Sequence, residues 1–292
     1  MNAQAPESKV RLRLPEIGQV LAARYRIDSR LNAGTYGVVY AATDQVSGQS
    51  CAVKCLLPSA ASSPAVVRRF QREVAVIREL THPNFVTILD FGFAEQCLFY
   101  VMELLNGVDL GSRLQQGAFS PRGAALIASQ VLLALAEAHR HDIVHRDLKP
   151  ENLFIQSAAD GRVRIRVIDF GIAKIVGERG ENAEKLTLVN EACGTPNYMA
   201  PEQIISGTVG PWTDIYALAL ILFEMLTGQV AIKGETFLDT LRLQTTFAPR
   251  LPEALADLPY ADVLYKALAK KPAERFQSAD EMNAALLASL GA

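Results

Sequence analysis

The sequence predicts an α+β fold, with a small sheet-rich half preceding a larger, mostly helical half. Three observations carry this. From Tyr25 to about Met102, short β-branched and aromatic runs are separated by turn residues, with one helical interruption. Beyond Asn106-Gly107 apolar residues recur at helical spacing. Half of the 292 residues are hydrophobic and 21% are charged, so the chain can bury a sizeable core.

Residues 1–23 have no clear period. Lys9, Arg11 and Arg13 alternate with apolar residues, as in a short strand or a flexible arm. Strands are expected at Val38-Val39-Tyr40, Cys51-Ala52-Val53, Phe85–Leu89 and Leu98–Met102, with a hairpin turn within Asp44–Gln49. Pro64–Leu80 is helical, because Val66, Phe70, Val74, Ile77 and Leu80 share one face. The two halves join near Glu103–Gly107. A long amphipathic helix opens at Ser120-Pro121, with serine as cap and proline at the first helical position, and runs to His141. Further helices are expected at Trp212–Leu226, Phe237–Gln244, Tyr260–Ala269 and Ser278–Leu290. Lys174–Thr195 is irregular and too long for an idle connection.

Bulk properties exclude several classes. A net charge of -2 points to neither nucleic-acid nor membrane-surface binding. Cys51, Cys55, Cys97 and Cys193 form no C-x-x-C pair and suit a reducing compartment. There is no apolar leader at the N-terminus. The longest apolar runs, Ala124–Ala128, Val131–Ala136 and Ile215–Phe223, fall far short of the roughly 18 residues of a membrane span. The expectation is a soluble, cytoplasmic protein.

The stretch LNAGTYGVVY (31–40) looks like a phosphate-binding loop with Asn32 in place of its first glycine. A lone G-x-x-G between strands is more often a plain turn. Lys54, fourteen residues after Tyr40, and the clusters downstream reverse that preference. Asparagine tolerates positive φ better than most residues, so Asn32 is expected to cost little there. Three polar clusters follow: His145–Asn152, Asp169-Phe170-Gly171 and Ala200-Pro201-Glu202. Asp147, Asn152 and Asp169 offer three hard oxygen groups at strand ends. Two of them can hold Mg²⁺ and the third can accept a proton from a hydroxyl. With Lys54 on a strand they make a set suited to phosphoryl transfer.

These motifs resemble the eukaryotic-type protein kinases, specifically a bacterial serine/threonine kinase. The segments are LNAGTYGVVY, CAVK (51–54), HRDLKPEN (145–152), DFG (169–171), GTPNYMAPEQ (194–203), TDIYAL (213–218) and KPAERF (271–276). They stand in family order and cover about residues 24–290. The resemblance implies an extension at 1–23 and a bilobal kinase domain at 24–290. Within it, an N-lobe (24–102) of antiparallel sheet and one main helix precedes a hinge (103–107) and a helical C-lobe (108–290).

It also implies an ATP- and Mg²⁺-dependent enzyme, with Mn²⁺ as an alternative metal, that phosphorylates protein serine and threonine hydroxyls. Lys54 is expected on the α- and β-phosphates, held by an ion pair to Glu73. Asp147 is expected to orient the substrate hydroxyl and take its proton, and Lys149 to meet the γ-phosphate. Asn152 and Asp169 are the implied metal ligands. Leu31, Asn32, Ala33, Gly34, Thr35, Tyr36, Gly37, Val38 and Val39 would form the phosphate lid. Adenine would lie between Val39 and Ala52 on one side and Phe154 on the other. Backbone groups of Glu103 and Leu105 would read its edge, Met102 would guard the back pocket, and Asp109 would meet the ribose. Lys149 and Gly194-Thr195-Pro196 have the serine/threonine form, with the Thr195 hydroxyl bonded to Asp147 and Lys149.

The family also implies a switch, in which Arg146 receives an activation-loop phosphate. Thr187 sits at a bacterial autophosphorylation position, and Glu191 stands where many animal kinases carry phosphothreonine. Ile77, Ile88, His145 and Phe170 resemble the hydrophobic column of these enzymes, anchored by Asp214. Glu202 and Arg275 should form a buried ion pair. His139 and His141 read as solvent-facing groups or charge partners near a helix end and not as ligands, Lys270-Lys271 as a solvated pair at a helix end, and Cys193 as a small packed residue. His82 reads as a loop anchor. One rival reading is a pseudokinase, against which the complete set of Lys54, Glu73, Asp147, Asn152 and Asp169 argues. Another is a small-molecule phosphotransferase, against which the Gly194–Tyr198 and Ala200-Pro201-Glu202 segments argue. Partners are expected to be protein substrates and a separate sensor or regulatory protein.

Overall fold

Alternation along the strands decides how the first half folds. The computed structural model describes residues 13–34, 37–57, 64–94, 97–157, 163–169, 196–205 and 207–291. They fall into two compact units. One comprises the chain up to Glu79 together with Thr87–Leu105, and the other Leu80–Val86, residues 106–169 and Pro196 onward.

The first unit is a six-stranded antiparallel sheet with one helix. Its strands are β1 (Val20–Leu21), β2 (Tyr25–Gly34), β3 (Gly37–Asp44), β4 (Ser50–Leu56), β5 (Ile88–Ala94) and β6 (Cys97–Glu103). Their order across the sheet is β1-β2-β3-β4-β6-β5. The sheet begins inside the expected extension, because Val20 and Leu21 pair with Arg26 and Tyr25. The strand expected at Phe85–Leu89 starts at Ile88 instead, and Phe85 makes only an isolated bridge to Val167. Ile27, Val38, Tyr40, Cys51, Val53, Cys55, Phe99 and Val101 project from one face into a buried core. The hairpin turn is closed by Asp44, which accepts from Val46 N and Ser47 Oγ and pairs with Arg24 at 2.8 Å. Arg24 and these hydrogen bonds hold the Asp44 carboxyl far below the usual carboxylate range. Helix α1 (Pro64–Glu79) buries Phe70, Val74 and Ile77, as its period requires.

The second unit opens with a small sheet of β7 (Val108–Asp109), β8 (Leu153–Ser157) and β9 (Val163–Val167). The turn before it requires glycine. Gly107 has φ +150°, and a Cβ there would run into the Ile155 carbonyl. Helix α2 (Leu110–Leu114) follows, then α3 (Pro121–Arg140), capped by Ser120 Oγ on Gly123 N with proline at the first turn. The remaining helices are α4 (Pro201–Ile205), α5 (Pro211–Thr227), α6 (Phe237–Thr246), α7 (Ala261–Ala267) and α8 (Ala279–Ser289). Helix α3 packs on α5 and α8. Helix α5 is apolar all round and buried along nearly its whole length, which makes it the centre of this unit. It starts at Pro211 and ends on Gly228, whose φ of 69° supplies a left-handed cap. Among the described residues, no helix is long and apolar enough to cross a membrane.

Glu202 and Arg275 pair in the buried interior as expected. Two guanidinium nitrogens each lie 2.9 Å from a Glu202 oxygen. The other Arg275 donors go to the carbonyls of Ala269, Trp212 and Lys270, and Thr213 Oγ1 donates to Glu202 Oε1. Every N–H of the guanidinium therefore has an acceptor.

Candidate active site

In the first unit the candidate residues sort by face. Antiparallel partners carry their side chains on the same side of the sheet. Val39 is opposite Lys54, and Ala52 is opposite Met102. Lys54 and Ala52 are two apart on β4, so all four share the face away from the sheet core. Tyr100 is opposite Lys54, and its ring centroid lies 6.0 Å from Lys54 Nζ. Phe70 of α1 meets Tyr100 at 6.3 Å between centroids. Helix α1 thus packs on the face that carries Lys54, with half-buried Glu73 one turn beyond Phe70. Val38 corrects the lid set. It pairs with Cys55, is 4% exposed and faces the core, because alternation sends it opposite to Val39.

The glycine-poor loop is an extended hairpin end in which Gly34 and Gly37 are direct partners. Asn32 does not take positive φ, so its tolerance of that region is not called upon. It lies in strand β2, where a bulge skips Leu31 and leaves it half exposed, and its Oδ1 accepts from Ala33 N at 2.7 Å. The asparagine thus fixes the strand locally by capping its neighbour's N–H. The two glycines differ. A Cβ on Gly37 would sit 2.5 Å from the Cys55 carbonyl oxygen, whereas one on Gly34 would meet only Gly37 O, at 4.0 Å. Thr35 and Tyr36 lie outside the described residues.

Met102 is buried. Glu103 accepts from Thr87 N through Oε1 at 2.7 Å, while its own N–H donates to Thr87 O at 3.1 Å, which fixes the strand end. Leu105 follows, half-buried. Asp109 has a second task beside the ribose role expected of it. Its two carboxylate oxygens cap α2, accepting from Ser112 N at 2.8 Å and Ser112 Oγ at 2.6 Å. Asp109 pairs with Phe154 across β7 and β8.

The loop 145–152 is built around buried polar groups. His145 has no exposure. Asp147 N donates to His145 Nδ1 at 3.3 Å, so the ring proton sits on Nε2 and points at Ile168 O, 3.1 Å away. Asn152 Nδ2 donates to Asp147 O at 2.8 Å, and Ile168 N donates to Asn152 O at 2.9 Å. These bonds tie the loop to the residue preceding Asp169. Lys149 Nζ lies 3.4 Å from Asp147 Oδ2. Arg146 and Asp169 both take left-handed backbone angles, φ 62° and 57°, which cost non-glycine residues free energy.

Asp214, fully buried at the start of α5, holds this strained segment. It accepts from His145 N at 2.8 Å, Arg146 N at 2.9 Å and His139 Nε2 at 2.9 Å. His139 is therefore a partner of a carboxylate, as one of the two alternatives had it, and is not solvent-facing. It sits four and seven residues after Leu135 and Leu132, on the buried stripe of α3, and that phase was the available signal. Lys270 corrects the solvated reading. It donates to Tyr216 Oη at 2.7 Å, and burial with the Arg275 charge lowers its pKa to about 8. Lys271 is exposed and pairs with Glu274, and His82 accepts from Asn84 N.

Two further groups escaped sequence reasoning. Gln203 bridges Arg146 O at 2.9 Å and Ala200 N at 3.0 Å. Glu224 receives the Tyr198 hydroxyl at 2.5 Å, and burial, with Glu151 nearby, raises its carboxyl pKa. Phe170, Thr187, Glu191, Cys193 and Thr195 lie outside the described residues.

Residues 25–286 match the protein kinase domain family. The chain is 34% identical over 279 residues to serine/threonine-protein kinase pkn3 of Myxococcus xanthus, covering 93% of this chain and 51% of that protein. It is 34% identical over 277 residues to PrkC of Bacillus subtilis, covering 92% and 41%. The chain thus spans about half, or less, of the length of these relatives. The crystal structure of the Mycobacterium tuberculosis PknI kinase domain matches with a TM-score of 0.73 and 26% identity, over 96% of this chain and 100% of that one. The chain belongs to the protein kinase domain family and has its bilobal α+β fold.

Proposed function

We propose that this chain transfers the γ-phosphoryl group of ATP to serine and threonine hydroxyls of proteins. The observation that carries the reading is the loop in which Asp147, Lys149 and Asn152 are tied by hydrogen bonds to the residue before Asp169. The names of the bacterial relatives support the same substrate class.

In this proposal Asp147 receives the proton of the attacking hydroxyl, and Lys149, 3.4 Å from it, meets the transferred phosphoryl group. Lys54 pairs with the nucleotide phosphates, with Glu73 as its partner. Val39, Ala52, Met102 and Phe154 contact the adenine, Glu103 and Leu105 read its edge, and Asp109 combines ribose contact with its capping role. Asn152 and Asp169 suit Mg²⁺ or Mn²⁺. The Asn152 amide nitrogen is committed to Asp147 O, so its oxygen is the atom left for a cation. When bound, the metal neutralises charge on the phosphate oxygens. Catalysis then rests on positioning and electrostatics.

We extend the proposal to regulation. Arg146 receives phosphorylated Thr187, and Glu191 partly substitutes for it, because a carboxylate carries one charge against about 1.5–2 for a phosphate. Unchanged activity in both Glu191→Ala and Thr187→Ala would sink this part. The main test is phosphate transfer from Mg-ATP to myelin basic protein, with Asp147→Asn as control and mass-spectrometric mapping of the products. Transfer confined to serine and threonine and abolished in the control is expected. Equal transfer by the control would refute the assignment.

A further inference from the structure

We infer that Gln244 is a positioning residue for the protein substrate, acting through the Pro196–Tyr198 turn. The inference rests on the kinase reading above. Gln244 lies on α6 with no exposed surface, although glutamine is usually found outside. Its amide is fully used. Nε2 donates to Pro196 O at 3.1 Å and to Asn197 O at 2.6 Å, and Oε1 accepts from Tyr216 Oη at 2.8 Å. Tyr216, buried on α5, accepts in turn from Lys270 Nζ at 2.7 Å. Its ring lies 4.5 Å from the Arg275 guanidinium carbon.

One side chain therefore gathers two consecutive carbonyls of a turn far away in sequence and fastens them to the most buried helix of the unit. Packing alone does not call for this. A methionine fills the same volume without the cost of burying an amide. What the amide adds is a fixed peptide orientation at Pro196 and Asn197. The turn is pinned a second time by the Tyr198 hydroxyl on Glu224.

The turn stands directly between Thr195, the residue read as serving the acceptor hydroxyl, and Ala200-Pro201-Glu202. Its orientation sets the ledge on which the polypeptide substrate rests. The bonds that pin it run to Gln244 and Glu224, not to the residues read as holding nucleotide and metal. Loss of the Gln244 amide should therefore weaken capture of protein without weakening capture of nucleotide.

The test is steady-state kinetics with myelin basic protein and Mg-ATP on the wild type, Gln244→Met, Tyr216→Phe and Asp147→Asn. Gln244→Met removes two hydrogen bonds to the turn, so KM for protein should rise about tenfold, with kcat and KM for Mg-ATP within about twofold. Tyr216→Phe keeps the ring and removes one bond to the amide, so it should move the same constant in the same direction by less. If Gln244→Met does not fold, Tyr216→Phe decides alone.

A fall in kcat and melting temperature with both KM values unchanged would indicate a purely structural role and overturn the inference. An unaltered protein KM in the folded variants would do the same while leaving the kinase reading intact, provided Asp147→Asn is inactive. Full activity in Asp147→Asn would remove both.

Discussion

Replacing Asp214 with asparagine takes one charge and one acceptor from a side chain with no exposure. Oδ2 of the carboxylate serves His145 N and His139 Nε2, and Oδ1 serves Arg146 N. An amide keeps a single oxygen. With that oxygen toward His145, the amide nitrogen faces the Arg146 N–H, donor against donor. Turned over, it faces the His145 N–H, and only His139 can adapt by moving its proton to Nδ1, an atom with no hydrogen-bond partner among the described residues. One buried N–H is orphaned either way, at about 1–3 kcal/mol, and the surviving bonds fall from about 1.5–3 to about 0.5–1.5 kcal/mol each. The total is about 3–5 kcal/mol, out of the ~5–15 kcal/mol that holds a typical folded domain. The single tryptophan, Trp212, stands two residues away and reports unfolding in urea by fluorescence. Because the orphaned N–H belongs to the strained segment before Asp147, kcat should also fall about 10²-fold. A stability loss below ~1 kcal/mol, or a destabilised variant with full kcat, would refute the view that Asp214 holds this loop.

Glu202→Gln leaves the Arg275 guanidinium buried without its anion and should cost about 3–5 kcal/mol in urea unfolding, with Arg275→Met comparably damaging because three carbonyls lose their donor. Gly37→Ala should destabilise by about 1–3 kcal/mol, since its Cβ would press on a backbone carbonyl. Gly34→Ala should leave melting unchanged, so any rise in its KM for Mg-ATP reads the phosphate contact directly. Lys270 carries a folded-state pKa of about 8, lowered by burial first and by Arg275 second. Between pH 8 and its ordinary 10.5 the unfolded chain binds more protons, so stability should rise with pH through that window. The melting temperature of wild type relative to Lys270→Met should therefore increase as pH rises from 8, and a flat difference would remove the buried-cation reading.

Much of the fold was legible because local rules and tertiary structure agree. Val66, Phe70, Val74 and Ile77 announce α1 by their period, and Ser120-Pro121 announces α3 by its cap chemistry. Alternation on β3 and β4 separates Val39, Ala52 and Lys54 from Val38, Val53 and Cys55. Applied strictly, the same rule would have kept Val38 out of the lid. Misplaced edges have a cause too. Phe85 looks like a strand residue by type, but it belongs to the second unit and bridges Val167 of that unit's small sheet, and β5 begins only where Ile88 pairs with Met102. Propensity describes a residue's suitability for a strand and says nothing of which neighbour it meets.

The site motifs were legible for a different reason, and the same reason explains what was hidden. Asp147, Asn152 and Asp169 lie within short runs, so the motifs behind the proposed chemistry can be read locally. The groups that shape the loop do not. His145 N and Asp214 are 69 residues apart, and Gln203 and the Arg146 carbonyl are 57 apart. A buried aspartate, histidine or glutamine interrupts an apolar stripe and looks like noise in a periodicity count. Its cost of burial is evidence of a partner, however, because an unpaired polar group would be selected against by several kcal/mol. His139 could have been flagged on that ground by its phase on α3, whereas Gln244 shares the buried side of α6 with Thr240 and carries no such apolar signal. Identifying what they hold needed the tertiary structure. A chain with leucine at Asp214, Gln203 and Gln244 would keep every amphipathic pattern and nearly all the motifs. It would keep its helical periodicity and lose the loop and turn geometry on which the proposed phosphoryl transfer rests. The apolar period thus specifies the helices and strands here, and a few long-range buried polar bonds fix the loop and the turn between them.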